Sequence, residues 1–264
     1  MTVRAISYGG GVQSTALVVL AAQNVIDYSL ALFCNVGDES ENPETLVYVR
    51  EHVVPWAKER GVEIRELQRV RRSGETETLM QRIDRSERSV PIPMRMQNGA
   101  PGNRQCTGDF KIAVIAKEIK RMGATKSLPA HVALGISVDE YQRMRTSTIA
   151  YEVLEYPLID LRLDRADCQR IIVDAGLPPA PKSACWFCPF QSLASWKRML
   201  TNDPERFAAS VALEKRMNDR RATLGKDQVW LTGSGRPLDE AVTDDGQLDM
   251  FSAGTCDIGG YCFS

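Results

Sequence analysis

Short, mostly apolar runs alternate along the first two thirds of the chain with longer stretches whose apolar positions recur every three or four residues. TVRAISY (2–8) and YSLALFCN (28–35) predict buried strands, VEIREL (62–67) alternates as a third, and HVALGI (131–136) and YEVLEYPLI (151–159) predict two more. Between them, VQSTALVVLAAQ (12–23), PETLVYVREHVVPWAKERG (43–61), TGDFKIAVIAKEIKRMG (107–123) and RADCQRIIVDAG (165–176) have helical composition. Pro43 opens the second of these and Gly61 closes it, as expected of helix ends. Strands alternating with helices imply an α/β domain with an open, mainly parallel sheet and helices on both faces.

The pattern fails twice. From about residue 69 to 104 there is little periodicity, many arginines, and the loop signals PIPM and NGAPGN. After Leu177 the stretch LPPAPKSACWFCPF forms a proline- and cysteine-rich knuckle, with helices predicted near Leu193–Leu200 and Pro204–Arg221 and a glycine- and aspartate-rich, irregular tail from Gly225. The expected organisation is an α/β domain over 1–177, carrying the Arg-rich insertion, and a Cys-containing, helical C-terminal region over 178–264.

The chain has 264 residues and 43% hydrophobic content, enough for a full core, and its formal net charge of −1 gives no global pull towards nucleic acid or membrane. The charge is uneven: Arg65 to Arg121 holds 13 Arg/Lys against 7 Asp/Glu, and Arg236 to Ser264 one Arg against six acids. A basic middle suits an anionic substrate; a solvated surface is the plainer reading of most single charges. The early apolar run Ala16–Ala22 is far below the ~20 residues that span a bilayer, and a glycine turn interrupts any leader-like pattern, so a cytoplasmic protein without membrane contact is expected. Its seven cysteines then favour metal or redox chemistry over a disulfide framework.

The stretch SYGGGVQSTAL (7–17) sets three glycines between the first strand and the first helix, with Ser14 and Thr15 at the helix entrance. Glycines let backbone approach an oxyanion and adopt positive φ, and a helix N-terminus favours phosphate through its unpaired amides and dipole. Neither the dinucleotide fingerprint G-x-G-x-x-G nor a Walker loop is present. A tight turn with no ligand is the alternative. The stretch resembles the PP-loop of the adenine nucleotide α-hydrolase (HUP-type) superfamily, commonly Ser-Gly-Gly-x-Asp-Ser, which places Gly10, Gly11 and Ser14 on the motif. Gly9 stands in place of the first serine and Gln13 in place of the acid that would accompany Mg2+.

Later segments are similar to phosphoadenosine phosphosulfate (PAPS) reductases, in the same order along residues 3 to 200. Asn35-Val36-Gly37 before Pro43-Glu44-Thr45 resembles their Asp-Thr-Gly turn and Pro-Glu-Thr; GISVDEYQRMR matches Gly135, Glu140 and Arg143 of a Gly-Ile-Arg-x-x-Glu-Ser-x-x-Arg segment, with Ser137 where arginine is usual; YPLIDLRLDRADCQRII follows. The resemblance implies an adenine nucleotide, ATP or alternatively PAPS or adenylyl sulfate (APS), bound by Ser7, Gly9, Gly10, Gly11, Gln13, Ser14, Thr15, Asn35, Gly37, Gly135 and Arg143. Arg104 and Lys111 are candidate anion contacts, with a surface role as the alternative.

Cys185-x-x-Cys188 is a spacing at which two thiolates share one metal or one iron–sulfur cluster. Cys106 is the candidate third ligand, resembling the cysteine before the lysine-bearing helix of cluster-bearing relatives; the fourth is Cys256 or Cys262, or none if one cluster iron is left open. A [4Fe-4S] cluster is expected, with zinc, a redox dithiol or inert core cysteines as alternatives. Cys34 and Cys168 lie in apolar patterns and are expected to be packing residues.

Two activities follow from the resemblance. In one, ATP adenylates an acceptor, a nucleic acid or small molecule, and pyrophosphate leaves before iron–sulfur-assisted sulfur transfer from a donor protein. In the other, PAPS or APS is reduced through Cys256 or Cys262 on the tail, with a thiol-reductant partner, although the tail lacks the usual Glu-Cys-Gly-Leu-His. A nucleotide-binding subunit without catalysis is the third reading.

Overall fold

A computed structural model describes residues 2–85 and 90–243. They fall into two compact units, one of residues 2–78 and 107–184, the other of 79–106 and 185–243.

The first unit is built on five parallel strands, β1 (Arg4–Tyr8), β2 (Leu30–Cys34), β3 (Glu63–Leu67), β4 (Ala130–Leu134) and β5 (Glu152–Glu155), in the order β3-β2-β1-β4-β5. Ile6 of β1 lies opposite Ala31 on one side and Ala133 on the other. The chain steps outward from β1 through β2 to β3, then returns across β1 to add β4 and β5. The order therefore reverses between β1 and β4, and open parallel sheets take ligands beyond the carboxyl ends of the strands at such a point.

Strand side chains alternate between two cores. Ile6, Tyr8, Ala31, Phe33 and Ala133 join one, with α1 (Val12–Ala22), the helix after β2 and α8 (Arg165–Asp174); Ala5, Leu30, Leu32, Val132 and Leu134 join the other, with Ile115 and Ile119 of α6 (Ala113–Arg121). This is the expected α/β sheet with helices on both faces. Every residue of α1 from Val12 to Ala21 is buried, so this helix has no polar stripe to mark a periodicity. Fully burying a Leu or Val contributes about 1.5–3 kcal/mol, and Leu17, Val18, Val19 and Leu32 are all at 0% exposure.

The helix expected over 43–61 runs in three parts: α2 (Pro43–Val47), a π-helical turn (Tyr48–Val53) and α3 (Val54–Lys58). Val54 N donates to Val49 O, an i→i−5 bond, immediately before Pro55, whose ring cannot donate and crowds the preceding turn. A second π turn (Gly108–Ile112) lies between α5 (Gln105–Thr107) and α6. YEVLEYPLI is strand only as far as Glu155. Pro157 lacks an N–H for the ladder and starts a short helix, α7 (Pro157–Asp160), for which its fixed φ is suited.

The second unit contains α4 (Leu79–Arg85), α9 (Leu193–Asn202), α10 (Pro204–Thr223) and α11 (Leu238–Thr243). The expectation of irregular chain over 69–104 and after Gly225 is thus corrected at α4 and α11. Both are short, and one or two turns are too few to register as a period. Trp196, Phe187, Leu231 and Leu238 are at 0% exposure. Two side chains of α10 hold the returning chain: Asn218 exchanges both its amide groups with the Val229 backbone (2.9 and 2.8 Å), and Glu214 accepts from the amides of Leu231 (2.6 Å) and Leu238 (2.8 Å). Burial pushes the Glu214 carboxyl up to about 7, against the pull of those two amides. Among the described residues, no helix is long and apolar enough to cross a membrane.

Candidate functional site

The β1–α1 turn is built for close approach. Gly10 has φ +76°, and a Cβ there would lie 2.8 Å from Thr45 Cγ2 and 2.9 Å from Val49 Cγ2. Any side chain would be strained by its backbone and pushed into the helix after β2. Gly11 is the N-cap of α1 and brings no capping side chain, and the first turn contains no acid. The first intrahelical bond is Thr15 N to Gly11 O (2.9 Å), so the amides of Val12, Gln13 and Ser14 have no acceptor one turn back. These residues are buried. A buried helix start with neither cap nor acid leaves its partial positive charge uncompensated by the chain's own sequence.

The second wall is the exit of β4. A Cβ on Gly135 would lie 2.8 Å from Ser14 N, 3.0 Å from Gln13 C and 3.1 Å from Ser14 Cα. Glycine is needed here for space: its backbone rests directly on the first turn of α1. Two buried hydroxyls of neighbouring segments, Thr45 Oγ1 and Ser137 Oγ, have no hydrogen-bond partner among the described residues. Thr45 is the residue whose methyl packs on Gly10.

The hydroxyls expected to meet a ligand are bonded within the protein. Ser14 Oγ accepts from Gly9 N and donates to Gly11 O, both at 3.2 Å, and Thr15 Oγ1 donates to Tyr8 OH at 3.4 Å. They brace the turn from inside. Ser7 sits in β1 between Leu32 and Leu134. The Gly9 carbonyl accepts from the Ser183 hydroxyl, and Asn42 N donates to Ala184 O at 3.2 Å, so the segment before the cysteine knuckle is tied to this turn.

Asn35 and Gly37 form an Asx turn at the end of β2, with Asn35 Oδ1 accepting from Gly37 N at 2.8 Å and Gly37 at φ +116°. The Asn35 amide donates to Asp38 (2.6 Å) and Glu66 (2.7 Å). Arg50 donates to both carboxylates, bidentately to Asp38 at 2.8 Å. The Arg50 guanidinium, then the Asn35 amide, hold Asp38 below the usual carboxylate range, and Arg50 does the same to Glu66. Nearby Glu41 is buried; desolvation raises its carboxyl, and the charge of Lys111 is the largest opposing influence. Lys111 O accepts from the Cys34 thiol at 3.7 Å, which sets the second π turn against the end of β2.

Arg143, expected as an anion contact, is buried in an ion pair with Glu140 at 2.5 Å, inside the 3₁₀ turn Val138–Arg143. Arg104 lies in the second unit, where it and Arg95 stand 5.1 and 5.2 Å from the ring centroid of Phe190.

Cys106, Cys185 and Cys188 belong to that same unit, and Cys188 N donates to Cys185 O at 3.1 Å in a tight turn. No group of three or more His, Cys, Asp or Glu side chains among the described residues is arranged to hold a metal ion. A [4Fe-4S] cluster or zinc on Cys106, Cys185 and Cys188 is therefore not shown by the described residues. Cys256 and Cys262 lie outside the described residues. Cys34 and Cys168 are buried, which pushes both thiols up to about 12, as packing residues.

The residues that sequence reasoning missed join segments remote in sequence. Arg165 opens α8: its amide donates to Asp139 Oδ1 and its guanidinium to Gln13 Oε1, both at 3.1 Å. Asp164 and Asp167 form a capping box around it. The D-R-A-D spelling could mark that helix start, but nothing in it points to residue 13. Ser183 and Glu41 have no distinguishing pattern at all.

No protein-family model matches the chain, and no curated protein is similar to it. Among solved structures, the chain is similar to phosphoadenylyl-sulfate (PAPS) reductase from Candida auris in its phosphate complex, with 13% identity and a TM-score of 0.46 over 68% of this chain and 76% of that one. In fold, the described residues form an α/β protein with a five-stranded parallel sheet.

Proposed function

We propose that this chain is a PP-loop enzyme of sulfur metabolism that holds an adenine nucleotide by its phosphates on the Gly9–Gly11 turn. The observation that carries this reading is the bare, buried start of α1, sealed on one side by Gly10 against Thr45 and Val49 and on the other by Gly135 against Ser14. A hydrogen bond to a charged group contributes about 1.5–3 kcal/mol, so the three amides of Val12, Gln13 and Ser14 converging on one oxyanion make a useful site.

The finer reading is adenylation: ATP activates an acceptor, a small molecule or nucleic acid, pyrophosphate leaves, and a sulfur atom displaces AMP. A second reading, reduction of PAPS or APS by a thiolate of Cys256 or Cys262 with release of the adenosine phosphate, is favoured by one feature of α1. Its first turn has no acid, and ATP is normally carried as its Mg2+ complex whereas PAPS is not. Cys185 and Cys188 supply two thiolates, so an iron–sulfur cluster would take further ligands; its test is the iron and sulfide content of anaerobically purified protein.

Anaerobic calorimetric titration with Mg2+–ATP and, separately, with PAPS tests the proposal. Saturable binding of either supports it, and the tighter ligand chooses between the two reactions. Heat from neither, with the protein folded, would overturn it.

A further inference from the structure

We propose that Arg165 is the fixed positive charge of this nucleotide site, standing where a carboxylate and its metal ion would otherwise be, so that the nucleotide binds without a divalent cation. The inference rests on the phosphate reading of the glycine turn and adds to it the identity of the counter-charge.

Gln13 is at 2% exposure, in the first turn of α1, and its neutral side chain cannot hold a divalent cation by charge. Its Oε1 instead accepts from the Arg165 guanidinium at 3.1 Å. The main chain that carries it is fixed: Arg165 is the first residue of α8, its backbone amide donates to Asp139, and the Asp164–Asp167 capping box holds the helix start. The residue as a whole is exposed, and a guanidinium carries further N–H donors besides the one at Gln13.

The placement runs against the electrostatics of the protein alone. Cations are disfavoured at helix N-termini, and this one is held at two, its own and that of α1. At α8 the two aspartates compensate; at α1 no acid does. Around the first turn of α1 stand its amides at Val12, Gln13 and Ser14, the guanidinium on Gln13, Thr45 against Gly10, and Ser137 two residues after Gly135; the Thr45 and Ser137 hydroxyls have no hydrogen-bond partner among the described residues. An anion there gains from the amides and the guanidinium together, and a phosphate or sulfate oxygen set matches the fork.

Calorimetry with ATP and with PAPS, each in EDTA and in excess Mg2+, tests this on the wild type, R165Q and R165K, with G10V to show that the heat comes from the turn. The wild type is expected to bind its preferred nucleotide about equally with and without Mg2+. R165Q should weaken that binding roughly ten- to hundredfold and flatten the salt dependence of Kd, while R165K keeps the salt dependence and loses less. A purely structural Arg165 would lower the melting temperature of R165Q without changing the salt slope. Wild-type binding that needs Mg2+, or R165Q binding unchanged in affinity and salt slope, would overturn the proposal and leave the nucleotide reading standing. Absence of binding by folded wild type would overturn both.

Discussion

Gly135→Ala offers a measurement that separates the cradle from the fold. The backbone of Gly135 needs no positive φ, so alanine introduces no torsional strain; it introduces a methyl 2.8 Å from Ser14 N, about 0.6 Å inside an ordinary 3.4 Å contact. The atoms it meets are main chain in a buried helix turn and cannot rotate away. Overpacking of this kind costs about 1–3 kcal/mol. At roughly 2–4 °C per kcal/mol for a chain of this size, the melting temperature should fall by about 2–12 °C. A 0.6 Å retreat of the Ser14 amide would stretch a bond of about 2.9 Å to an oxyanion to about 3.5 Å, beyond useful hydrogen-bond range. Losing one charge-assisted bond corresponds to roughly a tenfold to hundredfold weaker nucleotide affinity. Gly61→Ala is the control: Gly61 has φ +78° and nothing within 4 Å of a Cβ, so alanine costs about 1–2 kcal/mol of backbone strain away from the turn. Differential scanning calorimetry and nucleotide titration on both variants should show similar melting losses but a binding loss in Gly135→Ala alone. Equal affinities for the two variants would refute the cradle argument.

Two further predictions concern titratable groups. Glu214 holds its proton more tightly folded than unfolded, so its stabilising contribution is complete below about pH 4.5 and is lost as pH rises through about 7. A shift of this size corresponds to about 3 kcal/mol; urea unfolding should show stability falling from pH 5 to pH 8 in the wild type and a flatter profile in Glu214→Gln, and equal slopes would contradict the assignment. Cys34 and Cys168, buried and protonated, should resist iodoacetamide in the native protein at neutral pH, whereas the half-buried Cys106, Cys185 and Cys188 react first. Peptide mapping of the alkylated protein decides this, and early labelling of Cys34 or Cys168 would be inconsistent with the packing described.

The strands and the glycine turn were readable because their causes are local. Leu30–Cys34 is an unbroken apolar run, and three glycines before a helix have few other uses. What could not be read is whatever depends on residues far apart in sequence meeting in space. Gly135 is a candidate by resemblance, but its steric reason is the main chain of Gln13 and Ser14, some 121 positions earlier, and Arg165 is explained by Gln13. Ser14 and Thr15 have the right chemistry for ligand donors, and nothing in their spacing shows that they also bond Gly11 O and Tyr8 OH. Arg143 carries a charge that suits an anion, and Glu140 three residues earlier claims it. The short helices at Leu79–Arg85 and Leu238–Thr243 escaped because two turns leave too few apolar positions to define a period.

The interleaving of the two units has a consequence for how the chain is made. Residues 79–106 emerge from the ribosome 78 residues (107–184) before the stretch that completes their unit. At typical synthesis rates of ~5–20 residues per second, that interval lasts several seconds. Throughout it Leu79, Ile83, Ile92 and Met94, all nearly inaccessible in the finished fold, belong to a half-built body. A nascent chain stalled at residue 184 therefore carries these apolar side chains without the rest of their unit.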